Sequence, residues 1–88
     1  MKIKSGFVLE KIGNGYLAVA VGERAKEFSG LVRMNETGSF LWNIMAERDV
    51  SREDLLSAIR AEYEIDEATA LSDIDKFVSK LSDNGIID

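Results

Sequence analysis

FVLEKIGNGYLAVAV, residues 7–21, is the stretch from which the fold can be worked out. It contains two runs rich in strand-forming residues, 7–12 and 16–21, which a Gly-Asn-Gly tripeptide separates. An Asn-Gly pair between two such runs is a strong short-range signal for a β-hairpin, in which both turn residues adopt positive φ. The stretch therefore predicts a hairpin with Asn14 and Gly15 as its two loop residues.

The alternation of side chains along each strand divides this hairpin into two faces. With Asn14 and Gly15 as the loop, Ile12 lies opposite Leu17. One face then carries Val8, Ile12, Leu17, Val19 and Val21, and the other carries Phe7, Leu9, Tyr16, Ala18 and Ala20. The second face is less apolar than the first. We expect Phe7, Leu9 and Tyr16 to form an exposed apolar patch there, a feature that commonly marks a partner surface.

A third strand and three helices follow the hairpin. Residues 22–29 form a charged loop, and residues 30–34 have the pattern of a short strand. Each predicted helix has an N-cap residue just before an apolar stripe at helical spacing, namely Asn35, Ser51 and Asp66. The order of three strands and three helices suits an α+β domain, with helices packed on one face of a three-stranded antiparallel sheet. It also describes a winged helix. Since the 88 residues contain no linker or repeat, we expect one domain over residues 1–88.

Composition argues against an enzyme. The chain has no cysteine and no histidine, which removes a thiolate nucleophile and the commonest acid–base group and metal ligand. The carboxylates of Asp73 and Asp75 are two residues apart on a predicted helix and point to different sides.

The net charge of −5 opposes binding to nucleic acid phosphates. No apolar run has the length of a signal peptide or a membrane span. We expect a soluble cytoplasmic protein with no enzyme activity, no metal and no cofactor, which binds neither nucleic acid nor membrane.

Peptide recognition through an exposed strand edge is the function that remains compatible with this composition. If the third strand lies at the edge of the sheet, its outward N–H and C=O groups are unpaired. An extended peptide can add to such an edge as another strand. The alternative is a short edge strand that Arg33 and the neighbouring loop protect.

The residues from the third strand onward resemble the PqqD family. LVRMNETGSFLW over residues 31–42 is similar to the family's apolar strand, Leu-Asn-x-Thr-Gly stretch and closing Trp, with Met34 where Leu is usual. Residues 51–56 resemble the opening of its middle helix, and Tyr63 follows at the familiar distance. DIDKFVSKL over residues 73–81 resembles the Asp-Val-x-x-Phe-Leu-x-x-Leu run of its last helix. Residues 85–87 resemble its Gly-Leu-Leu close, and the resemblance covers residues 7–88.

The resemblance implies a winged-helix-like fold and a role in pathways that modify ribosomally made peptides. The leader segment of a precursor peptide would dock as an antiparallel strand on the third strand, in a groove beside the last helix. The domain would present it to a modifying enzyme, often a radical S-adenosylmethionine enzyme. The family's docking strand and groove correspond in this chain to a set of expected peptide-binding residues: Gly30, Leu31, Val32, Arg33, Met34, Lys76, Phe77 and Lys80. Arg33 would pair with an acidic leader residue, and the patch of Phe7, Leu9 and Tyr16 would dock the enzyme or a second copy of the chain.

Two other functions stay open at this point. A winged helix can bind nucleic acid, but the last helix of this chain holds five acidic residues between 66 and 83 against only two lysines. The chain can also be an assembly module that dimerises through its sheet, since short hairpin domains exchange strands between copies.

Overall fold

The computed structural model describes residues 1–28 and 32–87. Its strands are β1 (Phe7–Ile12), β2 (Gly15–Ala20) and β3 (Val32–Met34), and its helices are α1 (Glu36–Glu47), α2 (Arg52–Glu62) and α3 (Glu67–Asp83). A short 3₁₀ helix, Gly22–Lys26, interrupts the predicted charged loop. The three strands form one antiparallel sheet in the order β1-β2-β3. The α+β prediction of three strands followed by three helices is confirmed.

The hairpin turn is shifted by one residue from its predicted position. Ile12 pairs with Gly15, so the two loop residues are Gly13 and Asn14. Gly13 has φ +59°, whereas no residue other than glycine has positive φ in the part of the chain that the structure describes. Positive φ at the first loop position alone fits a type II′ turn, which favours glycine there, rather than the predicted Asn-Gly turn. The predicted pairing of Ile12 with Leu17 is therefore wrong, although the shift in register is even and each side chain keeps its predicted face.

The prediction of an exposed patch at Phe7, Leu9 and Tyr16 is wrong. Phe7 is buried, and Leu9 and Tyr16 are partly buried against the same core. The Phe7 ring meets Phe28 edge to face, with centroids 5.1 Å apart, and Arg24 lies over the ring. The opposite face is the exposed one, with Val8, Ile12 and Val21 more than 40 % accessible. The face of Phe7, Leu9 and Tyr16 is covered because it also carries Ala18, which is fully buried. The small Ala18 side chain on β2 lets helix α1 pack closely on this face.

Local side-chain chemistry starts each helix as predicted. The Asn35 side chain accepts from the Gly38 amide at 2.9 Å, and the Asp66 side chain accepts from the Thr69 amide at 2.8 Å. Ser51 and Asp54 form a reciprocal capping box at the start of α2. These bonds satisfy amides that the first helical turn leaves without partners.

The helices close over the sheet with one buried stripe on α3. Ala70, Ile74, Phe77 and Leu81 of this helix are buried, as are Ile86 and Ile87 of the tail that follows it. The Lys4 amide donates to the Ile86 carbonyl at 2.9 Å, and Ile3 forms a bridge with Ile87. Within residues 1–28 and 32–87, no helix combines the length and the apolar character needed to cross a membrane.

A bidentate ion pair connects the start of α2 to α3. Arg52 donates from Nε and Nη2 to the two carboxylate oxygens of Asp75, at 2.8 Å each. This hydrogen bonding holds the pKa of the Asp75 carboxyl below its usual range. A carboxyl whose pKa is lower in the folded state stabilises the fold above its unfolded pKa, which is about 3.9 for Asp. That stabilisation is lost as the pH falls through the folded value.

Replacing Asp75 by Asn should therefore weaken the fold slightly at pH 7 and have less effect at low pH. The effect at pH 7 is small because both side chains are exposed. Urea unfolding of wild type and Asp75→Asn between pH 7 and pH 2.5 measures the difference in unfolding free energy. We expect that difference to shrink below about pH 4. Asp73→Asn is the matched control, since Asp73 forms no ion pair with any residue that the structure describes. A difference that stays constant with pH contradicts the prediction.

Candidate functional site

Strand β3 lies at the edge of the sheet and presents one residue's backbone outward. Hydrogen-bonded and non-hydrogen-bonded pairs alternate along antiparallel strands. The two-residue turn makes Ile12 and Gly15 a hydrogen-bonded pair, so Leu17, two residues on, also bonds to β1. Arg33 lies opposite Leu17 and must direct its own N–H and C=O away from β2. Among the described residues, no strand pairs with that side of β3.

A groove runs beside this edge, between β3, the first turns of α1 and the outer side of α3. It has a volume of about 290 Å³, and we define it by its lining residues: Met34, Asn35, Thr37, Gly38, Leu41, Asp73, Lys76, Phe77 and Lys80. Met34, Leu41 and Phe77 are buried side chains that supply an apolar floor. Lys76, Lys80 and Asp73 are exposed and supply its charged rim.

Lys80 spans the groove and reaches the strand. Its Nζ donates to the backbone carbonyl of Arg33, which independently places that carbonyl on the open side of β3. Lys76 lies one turn earlier on the same helix and lines the groove. The sequence prediction that β3 and the two lysines lie side by side is confirmed by these contacts, while the role of the lysines in binding peptide stays a prediction.

Seven of the eight predicted binding residues divide into three groups in the structure, and Arg33 is the eighth. Met34, Lys76, Phe77 and Lys80 line the groove. Val32 is buried in the core, and its N–H and C=O face β2 instead of the open edge. Gly30 and Leu31 lie outside the described residues.

The Arg33 side chain lies on the other face of the sheet from the groove. Because side chains alternate along a strand, it projects away from Val32 and Met34, which face the core. There it lines a second cavity of about 440 Å³, together with Ile12, Asn14, Gly15, Tyr16, Leu17, Met34 and Asn35. Arg33 is the charged residue among these. Both cavities that border β3 therefore carry net positive charge in a chain whose overall charge is −5.

Gly38 belongs to the groove, although sequence analysis did not include it among the binding residues. A Cβ at this position would lie 2.8 Å from Met34 Cβ and 3.3 Å from Phe77 Cε1. Glycine is thus required where β3, α1 and α3 approach each other closely. Its presence in the first turn of an apolar helix, against helix propensity, was the signal in the sequence.

Few polar side chains line the groove. In the described part of the chain, no three metal-ligating side chains come together. The groove's polar groups are two ammonium groups, one carboxylate, one amide and one hydroxyl, beside a free strand edge. This arrangement suits the binding of an extended, acidic and partly apolar chain.

Comparison with known proteins agrees with the fold. The solved structure described as TbiB1 in complex with the TbiA(beta) leader peptide is similar to this chain, with a TM-score of 0.72 and 23 % sequence identity. The similarity covers 98 % of this chain and 93 % of TbiB1. A search of curated proteins found no match. The family model for coenzyme PQQ synthesis protein D (PqqD) matches residues 17–87, which include β3, all three helices and the whole groove. A match over that much of the chain shows that this protein belongs to the PqqD family.

Proposed function

We propose that this protein is a non-catalytic adaptor that binds the leader segment of a ribosomally made precursor peptide. The leader adds as an antiparallel strand to the open edge of β3. The observation that carries this proposal is the outward backbone of Arg33, which lies beside an apolar groove with a positive rim.

Strand addition explains why these features occur together. Main-chain hydrogen bonds to an edge strand give affinity without demanding a particular sequence, and pockets for alternate side chains give specificity. Every second side chain of a guest strand faces the groove, where Met34, Leu41 and Phe77 offer apolar contact. The intervening side chains face the other side of the sheet, where Arg33 lies. A leader with apolar residues at alternate positions and nearby carboxylates fits both sides.

Family membership supports a further part of this role, in which the domain delivers the bound peptide to a modifying enzyme. The family's description places it in coenzyme PQQ synthesis, and the similar TbiB1 was solved with a leader peptide. On this basis the domain works in the cytoplasm and delivers its bound peptide to a modifying enzyme, a radical S-adenosylmethionine enzyme in our proposal.

A titration followed by backbone amide signals tests the adaptor function. Wild-type protein is mixed with the short peptide encoded beside its gene, with a scrambled version of that peptide, and with duplex DNA at physiological salt. We expect the native leader to shift amide signals of Val32–Met34 and of residues 76–80, and the other two to leave them unchanged. Shifts with DNA alone, or leader-induced shifts confined to α2, contradict the proposal.

A further inference from the structure

The Arg33 carbonyl, which a guest strand needs, already accepts a hydrogen bond from a side chain. Lys80 Nζ donates to it from α3, across 47 residues of sequence. Arg33 is the β3 residue whose N–H and C=O both face outward, so it is the site where an antiparallel guest exchanges two hydrogen bonds. In the described structure, one of the two groups in that exchange, the Arg33 carbonyl, is capped by the Lys80 side chain.

Displacing this cap leaves an ammonium group in need of a new partner. Lys80 lies in the groove rim, and a guest strand that covers the rim removes water from around the charge. An ammonium that loses both its acceptor and its water raises the free energy of the complex unless an opposite charge replaces them. The guest backbone brings no charge of its own, whereas an Asp or Glu side chain on its groove face brings one.

The neighbouring charges single out Lys80 for this role. Lys76 lines the same groove one turn earlier but donates no hydrogen bond to β3 in the residues described. Asp73, the acidic residue of the groove lining, lies about two helical turns before Lys80, and Asp83, one turn after Lys80, lies outside the groove lining. Of the two lysines, Lys80 is therefore the one that loses a backbone acceptor when a strand adds.

We propose that Lys80 is a specificity-determining residue that caps the β3 edge in the free protein and admits strands that bring a carboxylate to it. The inference rests on the proposed function and adds a substrate class: peptides with an Asp or Glu on the groove face, at the position next to Lys80. A neutral strand has to compete with Lys80 for the Arg33 carbonyl. An acidic strand moves the ammonium from that carbonyl to its own carboxylate and frees the edge.

A displayed library of random 12-residue peptides tests this without knowledge of the natural leader. Three baits are compared: wild type, Lys80→Met and Lys2→Met. Methionine is close to lysine in length and helix propensity and carries no charge. Wild type should select peptides with apolar residues at alternate positions and one position rich in Asp or Glu. Lys80→Met should keep the apolar positions and lose that acidic enrichment, whereas Lys2→Met, at an exposed lysine outside both cavities that border β3, should retain it.

The selected peptides then give a quantitative readout. Changing the enriched Glu to Gln should weaken binding to wild type by about threefold to tenfold, because a partly covered ion pair lies between exposed and buried pairs in strength. The same change should leave the affinity of Lys80→Met unaltered, and Lys80→Met should bind the Gln peptide at least as tightly as wild type does. Peptides with equal acidic frequency on wild type and Lys80→Met contradict the role of Lys80 alone. Failure of all baits to select any peptide contradicts the adaptor function and this inference together.

Discussion

Replacing Arg33 by proline should weaken peptide binding by at least about tenfold while leaving the fold intact. Proline removes the backbone N–H of residue 33 and places its ring on the open side of β3. That N–H faces away from β2, so no bond within the sheet is lost. Edge strands tolerate proline at positions whose N–H faces solvent. We expect the free energy of unfolding to change by no more than about 1 kcal/mol.

The loss of affinity should be at least about tenfold, since a hydrogen bond is removed and the ring obstructs the guest backbone. Calorimetric titration with the leader peptide measures it, and urea unfolding checks the fold. Arg33→Gln is the matched control, because it removes the charge but keeps the N–H and should retain strand addition. Met34→Pro is the opposite control: its N–H faces β2, so this variant should be strongly destabilised. Peptide binding by Arg33→Pro at wild-type strength means that the guest does not pair with β3.

Replacing Gly38 by valine should destabilise the domain and block the groove. The new Cβ would lie 2.8 Å from Met34 Cβ, an atom fixed to the β3 backbone, so strand or helix must move apart. Overpacking of this kind costs about 1–3 kcal/mol. The two added methyl groups would also take up space in the cavity between β3 and α3.

Two comparison variants separate stability from binding. Gly38→Ala introduces the same Cβ without the methyl groups and gains about 1 kcal/mol of helix propensity, so its destabilisation should be smaller. Ile59→Val removes one methylene from the buried face of α2, away from the groove, at a cost of about 0.5–1.5 kcal/mol. Thermal unfolding and peptide titration should find Ile59→Val weakened in stability only, and Gly38→Val weakened in both. Unchanged affinity in folded Gly38→Val contradicts the position assigned to the groove.

The parts of the fold that were predictable are those that neighbouring residues determine. Asn35, Ser51 and Asp66 were identified as N-caps because a cap bonds to an amide only three residues ahead. On α3 the same short spacing predicts a core stripe of Leu71, Ile74, Val78 and Leu81. Ile74 and Leu81 are buried, but the other two buried positions are Ala70 and Phe77, each one residue earlier than predicted. The turn itself was predicted one residue late, because either glycine beside Asn14 can supply a positive φ.

The parts that failed depend on residues far apart in the chain. Both faces of the hairpin are apolar, so local patterning offers no means of choosing the face that the helices cover. That choice depends on Ala18 accommodating α1 and on Phe7 contacting Phe28. In the candidate site, the PqqD resemblance placed Lys80 near β3, but the bond from Lys80 to the Arg33 carbonyl crosses 47 residues and follows from tertiary packing alone.

Hydrogen exchange at the Arg33 amide distinguishes strand addition at β3 from every other mode of peptide binding. In the free protein this N–H faces solvent and should exchange quickly, whereas the amides of Val32 and Met34 face β2 and should already be protected. With saturating leader peptide, we expect exchange at Arg33 to slow by at least about tenfold, and by more than at either neighbour. If the peptide binds and the Arg33 amide still exchanges at its free rate, the guest does not join the sheet at β3, and the proposed binding mode is wrong.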